Sequence, residues 1–544
     1  MTIKELGIGL MAVASLALMT GCGSQEKPKE SKEKGQTEQR LKVVETAELP
    51  TMDISQATDV VSFSAISQVM EGLYEFADDS SSQPALAKEV VQPTNEGKTY
   101  TIEIEEGGKW SNGDDVTAHD FVYSWQRTVD PTTGSEYAYL FDGFVNYNEV
   151  VKGEKKPTEL GVKALDDYTL EINLEYPIPY LTSILAKPTF YPQNQTFVEA
   201  TGKDYGTNSD SVLYNGAFQL TEWDGTGLTW NYEKNETFRK ANEVKLAAVE
   251  VQVIKENGTS LNLYNSDEVD VIQVKGEFAQ QEAENKDLVI REYPSSFYLQ
   301  YNFENKIFAN KNARNAISLM IDSQQIVTSI LGDGSKAING YVPTGIVNPE
   351  TGQDFAKESG KLTTTDPDKA KELWAKAKEE LKMETGEVTL LASDTDSAKK
   401  LAEYVQGVLG ELEGLKVNIS NVPFNNRLDA MSKGTFDVVL AGWAATYADP
   451  YDFLQLVNSG TPQNYGNWQN EAYAKLLKDA SSTFVNDNEK RWSLLLDAHK
   501  LVIEEAPVTP LYQGSESYLV KPKVENLVYR SLGSPYYKNV SLKE

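Results

Sequence analysis

The chain contains almost no cysteine or histidine. Among 544 residues there is one cysteine, Cys22, and there are two histidines, His119 and His499. A single thiol excludes an internal disulfide framework. The histidines are far apart, and neither has the spacing of a metal-ligand cluster around it. The sequence therefore predicts no metal site, and we expect both histidines to be structural or surface residues.

Signatures of catalysis and cofactor binding are also missing. The chain contains no GxSxG, HExxH, GxxxxGKS/T, CxxC or GxGxxG motif. Paired carboxylates are the one type of catalytic group that the composition leaves open, because 81 residues are acidic. We therefore predict a protein that is not an enzyme, has no catalytic residues and needs no cofactor; a surface-anchored hydrolase remains a remote alternative.

Positive charge is scarce. The 81 acidic residues outnumber 51 basic ones and give a formal net charge of −30. Such a surface excludes nucleic acid and anionic lipid as partners. Beyond residue 20 there is no run of 18 apolar residues, so we expect no second membrane span. The length predicts two or three domains.

The N-terminus has the features of a membrane-targeting segment. An apolar stretch over residues 6–20, too short for a permanent span, leads into the sequence LMTGC that ends at Cys22. This pattern resembles a bacterial lipobox, although Met19 stands where leucine is commoner. It predicts a lipoprotein signal peptide over 1–21 and lipidation of Cys22; the alternative is an ordinary secretory signal. Residues 22–40 predict a disordered tether, because positions 23–40 carry no aliphatic or aromatic side chain.

The rest of the chain is organised as an α/β protein. In the first half we expect helices over 64–74 and 120–129, the second capped by Thr117, among short strands. In the second half, strands at 388–392, 416–420 and 437–443 alternate with helical patterns, which predicts a doubly wound α/β domain. Ligands bind at the carboxyl ends of strands in such sheets, so the residues after the strand at 437–443 are candidates for a site.

Several blocks together carry a family resemblance. They are GGKWSNGDDVTAHDFVYSW at 107–125, EGLYE at 71–75, YNGAF at 214–218, NARNAISLMID at 312–322, GW with ADP at 442–450, and APVTPLY at 506–512. In this content and relative placement the chain resembles the oligopeptide-binding lipoproteins of ABC importers, the peptide/nickel solute-binding family.

The resemblance implies an α/β, periplasmic-binding-protein-like fold of type II, cluster C. Three lobes and a two-segment hinge would surround a central ligand cleft. The implied boundaries are domain I over 41–85, 212–303 and 514–544, domain II over 86–211, and domain III over 304–513. The implied function is an extracytoplasmic receptor, anchored in the cell membrane through Cys22, that binds extended oligopeptides and delivers them to a membrane permease. We expect a monomer.

The resemblance also places candidate ligand-binding residues. Phe63 and Ser64 align with a domain I segment that pairs with the peptide backbone, and Gly442, Trp443 and Ala444 align with the domain III strand that pairs on the other side. Tyr137 and Tyr139 match a domain II loop that reaches the ligand. For all of these the alternative is an ordinary packing or sheet role.

The sequence departs from the family at Thr446. Many members have an aspartate there that pairs with the N-terminal ammonium of the peptide, so Thr446 puts that anchor in doubt. Asp449 and Asp452 are nearby candidates to replace it, although Asp449 before Pro450 resembles a structural turn. Basic residues that some relatives carry near the cleft are replaced by Met431 and Leu440.

We therefore hypothesise a specialised binder of short apolar peptides, such as a peptide-pheromone receptor, in place of general peptide uptake. On the same fold, binding of an oligosaccharide or a metallophore remains the alternative.

Overall fold

The computed structural model describes residues 39–543, so the predicted signal peptide, Cys22 and nearly all of the predicted tether lie outside the described residues. In chain order the strands are β1 (Arg40–Glu45), β2 (Tyr74–Phe76), β3 (Ser82–Pro84), β4 (Thr99–Glu103), β5 (Val162–Asp166), β6 (Thr169–Asn173), β7 (Phe218–Thr221), β8 (Thr229–Lys234), β9 (Ala248–Val253), β10 (Val271–Val274), β11 (Leu288–Glu292), β12 (Ser295–Tyr301), β13 (Gly386–Ser393), β14 (Leu415–Val422), β15 (Val438–Ala444), β16 (Val508–Tyr512), β17 (Ser515–Val520), β18 (Val524–Glu525) and β19 (Ser541–Leu542).

The helices lie between the strands along the whole described part of the chain. They are α1 (Val60–Val69), α2 (Ala118–Val129), α3 (Tyr147–Val151), α4 (Leu181–Leu185), α5 (Gln195–Thr201), α6 (Asn257–Asn265), α7 (Gly276–Gln281), α8 (Lys306–Ala309), α9 (Lys311–Met320), α10 (Ser323–Gln325), α11 (Phe355–Ser359), α12 (Pro367–Leu381), α13 (Asp396–Leu409), α14 (Phe424–Ser432), α15 (Tyr451–Leu454), α16 (Glu471–Lys478) and α17 (Asn488–Glu505). Within residues 39–543, no helix is long and apolar enough to cross a membrane.

Lobe I is built around a seven-stranded sheet with the order β11-β17-β10-β1-β9-β8-β7. Its strands come from the start, the middle and the end of the chain. β1 is central, parallel to both β9 and β10. Because β1 forms hydrogen bonds on both of its sides, it joins strands from distant parts of the chain into one sheet.

Lobe III is built around a five-stranded sheet with the order β14-β13-β15-β12-β16. β13 is parallel to β14 and β15, with α13 and α14 in the two connections, and β12 and β16 run antiparallel to their neighbours. The predicted strand–helix–strand–helix–strand order is thus confirmed. The predicted helix over 120–129 also forms, as α2, with the Asp120 carboxylate accepting a 2.7 Å hydrogen bond from the Thr117 N–H.

In the sequence, lobe II lies between the first and second segments of lobe I, and it contains the three-stranded sheet β4-β6-β5. Its core is rich in aromatic rings: Trp125 of α2 makes edge contacts with Phe121, Phe141, Phe144 and Phe190. Such contacts add to the burial of large apolar surface.

The chain crosses between lobes I and III at two places, between β11 and β12 and between β16 and β17. The first crossing lies between Glu292 and Ser295, because all of β12 belongs to the sheet of lobe III. The change of sheet therefore comes earlier than the expected boundary at 303/304. The second, between Tyr512 and Ser515, falls at the expected 513/514.

The predicted helix over 64–74 is wrong at both ends. α1 begins earlier because Asp59 caps it, its carboxylate accepting the Ser62 N–H at 2.8 Å. It ends at Val69 because Met70 is extended. Tyr74, placed at the end of the predicted helix, instead starts β2. The apolar spacing predicted a helix here, but the Asp59 cap and the extended backbone of Met70 decide its limits.

Both histidines have structural or surface positions, as expected. His119 is exposed, 3.4 Å from Asp167. His499 is buried in α17, where its Nε2 accepts the N–H groups of Tyr341 and Val342 at 2.7 and 3.0 Å. Because Nε2 accepts, Nδ1 carries the proton and donates to Ser359 Oγ. A β-carbon on Gly340 would lie 2.6 Å from this ring, so only glycine fits there.

We predict that His499 destabilises the protein in acid. Burial lowers the pKa of His499 from 6.5 to about 3. Between these values the unfolded chain binds more protons, so stability is lost as the pH falls through that window. From pH 7 to pH 4 this loss is about 3 kcal/mol. In urea titrations, the stability difference between wild type and His499→Gln should shrink by that amount over the same interval; a constant difference would contradict the assignment.

Candidate functional site

β15 has an unpaired edge at its carboxyl end. One side pairs with β12 along the whole strand, from Val438 opposite Tyr301 to Ala444 opposite Ser295. On the other side, β13 pairs only with Val438 and Val439. The segment from Gly442 to Ala444 therefore has no neighbouring strand on this side among the described residues.

The ladder determines which backbone groups face this open edge. The N–H of Ala445 donates to the C=O of Pro294 at 2.7 Å, which fixes the alternation of the antiparallel pair. The N–H and C=O groups of Gly442 and Ala444 consequently point away from β12, while those of Trp443 point toward it. Both Gly442 and Ala444 are exposed. The edge thus presents two donors and two acceptors at the spacing that an added strand requires.

Close packing requires glycine at position 442. A β-carbon there would lie 2.7 Å from the ring of Phe297, which stacks on Tyr512 with ring centres 4.6 Å apart. A larger residue would displace this stacked pair beneath the edge.

Four of the expected residues lie in one row of contacts across the lobes. The Phe63 ring of lobe I packs edge-on against Tyr137 of lobe II, with centroids 5.3 Å apart. The ring centre of Tyr137 lies 5.8 Å from that of Tyr139, and the Tyr139 hydroxyl lies close to the side chain of Thr446 in lobe III. Tyr139 is nevertheless 46% exposed. These residues therefore form an accessible, mainly aromatic wall next to the open edge.

Phe63 and Ser64 do not form an extended segment, which corrects the expected backbone pairing. Both lie inside α1, where the Phe63 N–H donates to Asp59 C=O at 3.1 Å. Their carbonyl groups accept from Ser67 Oγ and Gln68 Nε2. Because helix and side-chain bonds occupy these groups, only side chains are available here. The Phe63 side chain contacts Tyr137, and the Ser64 carbonyl is bonded to Gln68.

The loop after β15 joins lobe III to lobe II. The ring of Tyr447 stacks on Tyr180 with centres 3.9 Å apart, and the Ala448 N–H donates to Ser183 Oγ at 3.2 Å. Tyr447 is packed within the core of lobe II. The loop that carries Thr446 is therefore attached to lobe III through β15 and to lobe II through Tyr447 and Ala448.

Asp449 has a structural role in this loop. Its carboxylate makes a bidentate pair with the buried Arg491, with both N–O distances at 2.8 Å, and also accepts the Tyr451 N–H at 2.9 Å. Both oxygens are bonded to protein groups, and the charge is paired with Arg491, so Asp449 stabilises the loop from within the protein. The interpretation of this position as a structural turn is confirmed.

Asp452 is placed differently. It is 1% exposed, and its Oδ2 accepts the Thr446 N–H at 2.5 Å and Trp443 Nε1 at 3.2 Å. Its Oδ1 has no hydrogen-bond partner within the part of the chain that the structure describes. A carboxylate therefore lies directly behind the threonine at which the sequence lacks one.

Lys187 of lobe II is the cation that acts on this carboxylate. Burial raises the pKa of Asp452 to about 7, while hydrogen bonds from Thr446 and Trp443 and the charge of Lys187 act in the opposite direction. Burial likewise lowers the pKa of Lys187 to about 8, opposed by Asp452. Among the described residues the side-chain ammonium of Lys187 has no hydrogen bond and no carboxylate within 4.0 Å. Sequence reasoning missed Lys187, since nothing in the run LAKPTF distinguishes it.

The two apolar residues that stand where some relatives carry basic ones lie in the core. Met431 and Leu440 are 5% and 6% exposed. A cation does lie nearby: Arg427 donates to the Leu440 C=O, just before the open part of the β15 edge.

Comparison with known proteins identifies the family. Residues 82–465 match the model of the bacterial extracellular solute-binding proteins, family 5. The chain belongs to this family. A dipeptide-binding protein of Lactococcus lactis is 32% identical, with 98% of each chain covered. The family is one of solute-binding proteins and not of enzymes.

Solved structures agree with this assignment. OppA of Listeria monocytogenes bound to peptide has 39% identity and a TM-score of 0.77, covering 94% of this chain and all of that one. The pheromone receptor PrgZ has 37% identity and a TM-score of 0.78, covering 93% of this chain and 100% of its own. The fold is therefore α/β, of the periplasmic-binding-protein-like type II, as predicted.

We predict that Asp449→Asn lowers the unfolding free energy by about 3–5 kcal/mol, because it leaves the buried guanidinium of Arg491 without its counterion. Chemical denaturation of the purified protein measures this. The matched control is Asp429→Asn, which removes the exposed partner of Lys433 and should cost less than about 1 kcal/mol. Equal effects of the two substitutions would show that the Asp449 pair is not a stabilising contact.

Proposed function

We propose that this protein binds oligopeptides in an extended conformation by adding them as a strand to the edge of β15. The unpaired N–H and C=O groups of Gly442 and Ala444 are the observation that carries the proposal. Main-chain hydrogen bonds of this kind give affinity that does not depend on ligand sequence. Peptide binding by the Listeria OppA and the name of the Lactococcus relative support the same ligand class.

Side-chain selectivity would come from the aromatic wall of Phe63, Tyr137 and Tyr139. Tyrosine and phenylalanine rings present large apolar surfaces to a ligand, and Thr446 adds no charge. We infer a preference for short apolar peptides, as for a peptide pheromone, with nutrient uptake as the alternative. The similarity to PrgZ supports this inference, although the similarity to OppA is of the same order.

The cellular role we propose is delivery. The protein would be held at the outer face of the cell membrane through a lipidated Cys22 and would pass its peptide, as a monomer, to the permease of an ABC importer. The lipobox-like sequence before Cys22 and the polar tether support anchoring. Several acyl chains at one residue would make the attachment stable, since one chain binds a bilayer only marginally.

We predict that Ala444→Pro weakens peptide binding about tenfold. Proline removes the Ala444 N–H, which faces the open edge, and a peptide carbonyl is left without its donor. The N–H does not pair with β12, so the fold should persist in circular dichroism. Isothermal titration with an apolar heptapeptide and a charged tripeptide measures affinity and selectivity together.

Ala444→Ser is the control for this experiment, because it alters the same side chain but keeps the N–H. We expect at most a twofold change in affinity. Equal binding by wild type and the proline variant would exclude strand addition at β15. Tighter binding of the charged tripeptide would contradict the preference for apolar peptides while leaving strand addition in place.

We predict that Cys22→Ser releases the protein from the membrane fraction into the soluble fraction of cells that produce it, because the serine variant has no thiol to acylate. Immunoblots of the separated fractions provide the measurement. A serine variant that stays with the membrane would contradict anchoring through Cys22.

A further inference from the structure

We propose that Asp452 and Lys187 together bind uncharged main-chain groups of the ligand, so that the protein binds peptides without needing a free N-terminal ammonium. This inference rests on the proposed function and specifies its ligand class: peptides whose ends at this position are neutral, including blocked ones.

The position of the two side chains carries the first step. Thr446, whose N–H binds Asp452, follows closely after Ala444, the last residue with backbone groups on the open edge. Trp443, between Gly442 and Ala444, holds the same carboxylate through its indole N–H. Asp452 therefore lies where a strand added along β15 would reach its end.

In the second step, Asp452 and Lys187 each have a side-chain atom with unused hydrogen-bonding capacity. Asp452 Oδ1 can accept, and Lys187 Nζ can donate, but neither has a hydrogen-bond partner among residues 39–543, and the two groups are more than 4.0 Å apart. A peptide unit offers one N–H donor and one C=O acceptor without net charge. The ligand main chain thus carries the donor that Asp452 Oδ1 lacks and the acceptor that Lys187 Nζ lacks.

The third step is electrostatic. An ammonium placed beside Asp452 would be attracted by that carboxylate but repelled by Lys187. It would lose its hydration without a net gain, and burying an uncompensated charge is costly. A ligand carboxylate placed beside Lys187 would be attracted by that ammonium but repelled by Asp452. A lone aspartate would select for a charged terminus, whereas a compensated pair favours a neutral main chain.

The test uses four versions of one apolar heptapeptide: both termini free, N-acetylated, C-amidated, and blocked at both ends. For the wild-type protein we expect four dissociation constants within about threefold of one another. Lys187→Met leaves Asp452 uncompensated and should make the peptides with a free ammonium bind at least tenfold tighter than the acetylated ones. Asp452→Asn should create a similar preference for a free carboxylate over the amide.

The variants also separate this role from a structural one. If the two residues only support the fold, each substitution should weaken all four peptides equally, which would overturn the inference. Lys187→Arg keeps a cation and should restore the near-equality that Lys187→Met removes. Lys369→Met gives the same change in net charge at an exposed ion pair and should not create a preference. Thermal unfolding confirms that each variant is folded.

Failure of this inference can be distinguished from failure of the proposed function. A wild-type protein that binds the free peptide at least tenfold tighter than the acetylated one overturns the neutral-end inference and leaves peptide binding intact. A protein that binds none of the four peptides overturns both.

Discussion

The unpaired edge of β15 is the constraint on which the rest of the site depends. An exposed strand edge is a hazard in most proteins, because it can pair with any extended chain. Here the edge is short, beginning only after β13 leaves the strand and ending at Ala444. Lobe II meets the loop that follows it through Tyr180 and Tyr447. The unpaired segment is therefore short, and lobe II contacts the loop at its end.

Two aspartates three positions apart show how surroundings divide similar groups between stability and function. Asp449 is saturated by Arg491 and by the Tyr451 N–H, so its charge is fully balanced inside the protein. Asp452 is also buried, but its Oδ1 has no hydrogen-bond partner among residues 39–543, and the cation that acts on it, Lys187, belongs to lobe II. The first can therefore be changed only at the expense of the fold, whereas the second can respond to a ligand.

The sequence predicted the fold better than it predicted the details of the site. Periodic patterns were sufficient for β13, α13, β14, α14 and β15, because each apolar face has one sheet to pack against. The same rule directed attention to the carboxyl end of β15, where the open edge lies. Phe63 and Ser64 were misjudged because an Asp59 cap turns their segment into helix. Lys187 could not have been found, since its relation to Asp452 arises only when lobes II and III meet.

The Asp452–Lys187 pair is close to neutral, whereas the protein as a whole has a formal net charge of −30. Charges farther apart than about 8 Å are largely screened at physiological ionic strength, so the distant acidic surface acts on approach more than on binding. An acidic peptide is disfavoured during encounter by that surface, and the pair then adds no charge preference of its own. Selection by charge would thus occur outside the cleft, in a salt-dependent association rate. Inside it, main-chain hydrogen bonds and the aromatic wall would set the dissociation rate, which salt affects little.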